Sequence, residues 1–314
     1  YVLDSKAGVR AFSAQNGAPL WARSLVPEGR DGDGAYGGGL ATNGAMVFAT
    51  TAFGEVIALD AASGREIWRQ KVSTPIRGAP TVANGQVYFV TIANETVAVA
   101  AQTGTILWKS PGAGEAASAI ASSSPAVAGG FVVAPYTNGD VTAFSAGNGL
   151  QMWSENLASN SSANSAANLN GIAGRPVIAS GSVFAISHAG RLASLKLTTG
   201  AENWSHEIAG SQTPWLSGEY LFVISNNKTL AAITRKTGKV RWISDLPAGV
   251  WAGPVMGGGR LLAVSSNGQL ASISPQTGKL IRTMTPGDKF YIAPVIAGNT
   301  IYLLDDGGEL IALR

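Results

Sequence analysis

The 314-residue chain has no cysteine and only two histidines. The first absence excludes disulfides, thiolate metal sites and cysteine nucleophiles, and leaves the redox compartment open. Charge is sparse: 13% of residues are charged, 22 basic and 19 acidic, for a net +3. The lysines and arginines are scattered singly, so no nucleic-acid footprint is expected. No apolar run reaches 18 residues, which excludes a transmembrane helix. No segment holds a 3.6-residue apolar period over three turns, so no long helix is predicted. Phosphate-loop chemistry is missing too. Gly37-Gly38-Gly39 lacks the Lys-Ser/Thr that would follow, and no Gly-x4-Gly-Lys occurs anywhere. No serine lies on a nucleophile elbow with an ordered His and Asp. Glu28–Gly34 has the acids of a calcium loop at Asp31 and Asp33. Ala35 and Thr42 then stand where further ligands are needed, so the match fails.

What is abundant is glycine, with 40 residues, and repetition. A phrase of glycine, three variable residues and tryptophan occurs at Gly17–Trp21, Gly64–Trp68, Gly104–Trp108, Gly149–Trp153, Gly200–Trp204 and Gly238–Trp242. A seventh copy, from Gly278, ends in Arg282. The spacing averages about 43 residues, within the range of propellers and arrays. Two further phrases recur with it. One is a proline–aliphatic run passing through a glycine turn into a second apolar run, as in Pro80–Phe89 and Pro176–Phe184. The other is a short alternating run such as Gly54–Asp60 or Gly268–Ile273. Runs of about five residues bounded by Gly, Asn, Asp and Ser read as antiparallel strands joined by hairpins.

Each unit therefore has four strands: A and B from the proline phrase, C from the alternating run, and D after the Gly-x-x-x-Trp turn. Radial repetition of a four-stranded sheet is a β-propeller blade. Complete blades start near residues 40, 80, 125, 176, 214 and 254. The first unit, 1–24, has B, C and D, because Tyr1–Asp4 matches the B strand Tyr302–Asp305. The last, 294–314, has A, B and C. The prediction is all-β, an eight-bladed β-propeller of four-stranded antiparallel blades forming one domain over 1–314. Two incomplete blades would leave unpaired edges, which proteins avoid. Residues before Tyr1 that supply the missing strands are accordingly expected.

The repeated tryptophans are expected to pack between neighbouring blades. Trp215 and Trp251 fall outside the motif and are assigned to core filling or to the channel mouth. His188 ends a B strand and His206 lies in a D strand, so the repeat does not pair them as metal ligands.

Ala58–Trp68 resembles the tryptophan-docking motif of pyrroloquinoline-quinone-type propellers, and the resemblance extends over essentially the whole chain. That superfamily includes quinoprotein alcohol dehydrogenases and the non-enzymatic BamB lipoproteins of the outer-membrane β-barrel assembly machinery. Arg175–Arg191 with Gln212–Phe222 is most similar to BamB-like proteins of α-proteobacterial type. Quinoprotein dehydrogenases use an adjacent cysteine pair, calcium-binding acids and a channel aspartate. This chain has no cysteine and no acid cluster at its A-strand starts, so no cofactor, metal or catalytic residue is assigned. The alternative kept open is a dehydrogenase-like or small-ligand-binding propeller that uses the channel.

Three connections from a D strand to the next A strand are long: Leu25–Gly38, Ser110–Ser124 and Leu157–Arg175. Long loops on a rigid scaffold are where binding concentrates. In BamB-like proteins two neighbouring loops of this region dock a POTRA domain of BamA, and by position these resemble the second and third connections here. The resemblance implies partner contacts at Ala119, Ile120, Leu169, Asn170, Ile172 and Arg175. It also implies a lipid anchor upstream of Tyr1, the periplasmic face of the outer membrane, and unfolded outer-membrane proteins as possible clients.

Overall fold

The structure is a computed structural model, and it describes residues 1–72, 74–112, 123–158, 171–188 and 190–314. The described residues form eight antiparallel sheets in chain order, six of four strands and two of three. Within every sheet, consecutive strands are hydrogen-bonded neighbours, giving an A-B-C-D meander. The architecture is the one the repeats predict, an eight-bladed β-propeller. Its complete blades open with strands Gly38–Thr42, Thr81–Ala83, Ala126–Ala128, Val177–Ala179, Trp215–Ser217 and Trp251–Gly257. Blade 1 holds Val2–Leu3, Gly8–Phe12 and Pro19–Ser24, and blade 8 holds Val295–Ala297, Thr300–Leu304 and Leu310–Leu313. Val2 pairs with Arg10, as the B–C assignment of blade 1 requires.

The chain packs as two compact units. Among the described residues, one comprises those of 1–158, 171–172 and Leu197–Gly200, and the other those of Ala173–Lys196 and Ala201–Arg314. In both, the B and C strands carry the burial. Met46–Thr51, Glu55–Asp60 and Phe131–Pro135 are buried along almost their whole length, while D strands are mostly exposed. Each core cluster lies between two successive blades. Phe48, Val56 and Ala58 of blade 2 meet Val87, Phe89 and Val97 of blade 3. Phe222 and Leu230 of blade 6 meet Leu261 and Ala263 of blade 7 in the same way. Burying each such aliphatic or phenyl side chain contributes about 1.5–3 kcal/mol. A single blade has no core of its own, which is why the sequence must repeat.

The tryptophan phrase sets the seams. Within each blade the motif tryptophan stands opposite a small C-strand residue: Ala58 for Trp68, Ala98 for Trp108, Ala143 for Trp153. The register shifts immediately afterwards in each of these pairs. Such a bulge kinks the D strand and re-aims its side chain. The ring then lies on the motif glycine of the following blade. A Cβ at Gly104 would sit 2.5 Å from Cε3 of Trp68, and one at Gly149 would sit 2.5 Å from Cε3 of Trp108. The indole N–H donates to a carbonyl three residues before that glycine, from Trp68 to Ala101 at 2.9 Å and from Trp242 to Pro275 at 3.0 Å. The glycine is thus required twice: its φ is +72° at Gly104, and its missing side chain makes room for the ring.

Candidate functional site

The described stems of the second and third long connections attach to one pair of hairpins. These B–C hairpins, of blades 3 and 4, are cross-linked to each other. Oδ1 of Asn94 accepts from the backbone N–H and the hydroxyl of Thr137, at 3.2 and 3.1 Å. The hydroxyls of Thr96 and Tyr136 share a hydrogen bond of 2.6 Å. Asn94, Thr96, Thr137 and Tyr136 are all buried, so these bonds are shielded from competing water. Burial also pushes the Tyr136 phenol far above its ordinary pKa, keeping it protonated. Asn94 holds φ at +56°, a left-handed conformation that asparagine tolerates in a tight turn.

The connections leave from this platform. Gly112 donates its N–H to the carbonyl of Asn94 at 2.6 Å, starting the first of them. For the other, Leu157 donates to Gly139 at 2.9 Å and Ile172 donates to Tyr136 at 3.1 Å. Both ends of that loop are therefore clamped to one hairpin, and Leu157 and Ile172 are almost fully buried there. At the same hairpin, Asp140 accepts from the amides of Asn138 and Asn156, which braces the turn.

Among the residues expected to touch a partner, Ala119, Ile120, Leu169 and Asn170 lie outside the described residues. Ile172 is 1% exposed and serves as a buried stem residue. Arg175 is exposed, and its backbone N–H donates to Thr213 at 3.0 Å. Sequence reading missed the Asn94–Thr137–Tyr136–Thr96 platform. Its one visible sign was an asparagine in a B–C turn at a position where five of the other blades carry glycine.

The remaining candidates resolve into packing. Trp251 is 3% exposed, sits in the core between blades 6 and 7, and donates its indole N–H to Pro247 at 2.8 Å. Trp215 is partly buried against the same cluster. The histidines are held separately. His188 Nδ1 shares a 2.8 Å hydrogen bond with Ser211, and His206 Nε2 lies 2.6 Å from the carbonyl of Gly238 and rests on Trp204. Asp31 caps the backbone N–H of Asp33 within the acidic loop of the first connection.

A second polar feature lies where blade 2 meets the first connection. Arg69 bonds Glu55 at 2.5 Å and Glu66 at 2.9 Å, and also donates to the carbonyl of Leu25 at 3.3 Å. The guanidinium holds the Glu66 carboxyl below its ordinary pKa, chiefly through this hydrogen bond. Glu55 is 7% exposed and has its charge met by Arg69. The ion pair staples the loop stem to the blade.

An uncharacterized protein of Rickettsia prowazekii (strain Madrid E) is 30% identical over 249 residues, covering 78% of this chain and 60% of that protein. The outer membrane protein assembly factor BamB of Yersinia pestis is 26% identical over 261 residues, covering 82% of this chain and 66% of that one. The chain thus spans about three fifths of the length of the Rickettsia relative. The crystal structure of BamB from Moraxella catarrhalis superposes with a TM-score of 0.82 at 18% identity, over 98% of this chain and 89% of that chain. The quinohemoprotein alcohol dehydrogenase of Comamonas testosteroni has a TM-score of 0.75 at 14% identity, over 96% of this chain and 68% of that one. These structural likenesses establish the shared propeller fold. The model of one family matches residues 5–244 and 244–314, and by that match the chain belongs to the outer membrane protein assembly factor BamB family.

Proposed function

We propose that this propeller is a non-catalytic scaffold of the outer-membrane β-barrel assembly machinery. It binds one or more POTRA domains of BamA through the connections after blades 3 and 4, and so assists insertion of outer-membrane proteins. It works at the periplasmic face of the outer membrane, held there by a lipid anchor upstream of Tyr1. The observation that carries the reading is the platform, taken together with family membership. Two long neighbouring connections spring from hairpins locked together through Asn94–Thr137 and Thr96–Tyr136. A stiff base lowers the entropy lost when such loops engage a partner. Apolar residues in these polar loops, Ile120 and Leu169, are the contact centres, with Ala119, Asn170 and Arg175 around them. Ile172 acts on binding only indirectly, by fixing the stem.

The test is titration of the soluble periplasmic part of BamA against this protein and its Ile120→Asp and Leu169→Asp variants. Binding should weaken roughly tenfold or more at unchanged melting temperature. Normal binding by every folded variant would move the docking face elsewhere. A parallel titration with pyrroloquinoline quinone, followed by tryptophan fluorescence, should show no saturable quenching. Saturation there would favour a channel-bound cofactor instead.

A further inference from the structure

Blades 2 and 3 carry a charged pair at one repeat position where blade 6 carries none. In blade 2 the residue after the motif tryptophan is Arg69, which pairs with Glu55 at the start of the C strand and reaches the preceding connection at Leu25. In blade 3 the same positions carry Lys109 and Glu95, 4.0 Å apart. In blade 6 the positions carry Ile243 and Thr229, opposite Ala231 and Asp245 in the strand register. Neither side chain spans the gap, and a cavity of ≈ 120 Å³ remains beside the connection from blade 5.

Its wall is mixed, with five aliphatic residues beside Asn227, Ser225, Thr229 and Glu207. Ile208, Val223, Ala231 and Ile243 contribute hydrocarbon, and the Ser225 and Thr229 hydroxyls, also in the wall, bond one another at 2.7 Å. Glu207 is the one charged lining residue. It is exposed, as is Asp245 at the end of the outermost strand, and neither joins an ion pair among the described residues. Lys228 stands on the hairpin next to Thr229 but outside the wall. Ile243 is 60% exposed, so the opening faces solvent.

We propose that this seam is a socket for one branched aliphatic side chain of a partner polypeptide, carried on an extended segment with a lysine or arginine beside it. Size selects the occupant. Small-molecule sites enclose about 300–1,000 Å³, well above this cavity. An apolar cavity of about 150 Å³ takes benzene, so this smaller one suits leucine or isoleucine better than an aromatic ring. Charge selects the flank, because the Glu207 carboxylate in the wall joins no ion pair among the described residues. The socket lies in a different blade from the loop platform and does not depend on the BamA reading.

The test uses the whole chain with labelled Ile, Leu, Val and Ala methyl groups, titrated by NMR with the acetylated, amidated tripeptide Lys-Leu-Lys. The methyls of Ile208 and Ile243 should shift saturably. The peptide with a central alanine should bind roughly 10- to 50-fold more weakly, from the methylenes it fails to bury. Central phenylalanine should also bind more weakly than leucine, and flanking glutamates should abolish binding. Ile243→Lys places a side chain that blade 3 already uses at this position, so the fold should tolerate it. That variant should lose roughly tenfold in affinity with no change in melting temperature, and Glu207→Gln should remove most of the salt dependence. Absence of saturable shifts at these methyls would overturn the proposal. So would equal binding of the leucine and alanine peptides, phenylalanine binding as tightly as leucine, or indifference to Ile243→Lys.

Discussion

Gly104→Ala and Gly17→Ala make the same chemical change in the same turn, and the seams predict very different costs. Both glycines are left-handed, with φ of +72° and +74°. An alanine at either site therefore costs about 1–2 kcal/mol from backbone strain. At Gly17 nothing lies within 4 Å of the added Cβ, so that is the whole effect. At Gly104 the Cβ would fall 2.5 Å from Cε3 and 2.7 Å from Cδ2 of Trp68. The ring must withdraw, losing its contact with Phe48 and its N–H bond to Ala101. Undocking a tryptophan has an upper bound near the 3–5 kcal/mol of a tryptophan-to-alanine change, and partial withdrawal should cost about half. Gly104→Ala should thus destabilise by roughly 3–4 kcal/mol in all, at least twice the effect of Gly17→Ala. The assay is calorimetric melting combined with amide exchange across the blade 2–3 seam, because repeat architectures can open seam by seam. A double variant sharpens it. With Trp68→Ala already present, adding Gly104→Ala should cost only the backbone term, since the ring it strikes is gone. Equal losses for Gly17→Ala and Gly104→Ala, or strict additivity with Trp68→Ala, would refute the docking account.

Other consequences follow from the polar stems. Arg69→Gln leaves Glu55 buried without its cation and should cost roughly 1–3 kcal/mol, less than a fully buried pair because the Arg69 side chain is about a quarter exposed. Arg69 holds the Glu66 carboxyl low, so the Glu66 contribution is present above the ordinary carboxylate pKa and lost as pH falls through the folded value; the variant should show a shallower acid limb in chemical denaturation. Tyr136→Phe removes the bond to Thr96 and should cost about 1 kcal/mol at neutral pH. The folded phenol pKa is raised, so its stabilisation is complete below the ordinary tyrosine pKa and declines as pH rises beyond it. In ultraviolet titration Tyr136 and the likewise buried Tyr88 should both ionise late, and the variant should show one late-ionising tyrosine fewer. Ile172→Glu should lower the melting temperature, in contrast to Ile120→Asp, because Ile172 is buried at the stem.

Strand order, blade count and the positions of the turns are all written in the sequence. They depend on alternation over five residues and on glycine, asparagine and aspartate at hairpins, which are local properties of the chain. The incomplete first and last blades were legible for the same reason, since Tyr1–Asp4 repeats Tyr302–Asp305. The seams were only half legible. Gly104 and Trp108 stand four residues apart in one phrase, yet each serves a different partner. Gly104 receives Trp68 of the blade before, and Trp108 docks on Gly149 of the blade after. Arg282 shows the consequence: Gly278 of the same phrase still receives Trp242, so blade 7 keeps its backward seam without a tryptophan of its own. The loop stems were not legible. Ile172 reads as one apolar residue in a polar connection, and only the clamp to Tyr136 makes it a core residue. The same holds for the blade 6 socket, because Ile243 and Thr229 become a gap only when measured against the Arg69–Glu55 pair that fills the corresponding space in blade 2. Local sequence fixes what a strand is. What meets across a seam is decided by side chains some forty residues apart, whose sizes and charges matter only once the blades are packed.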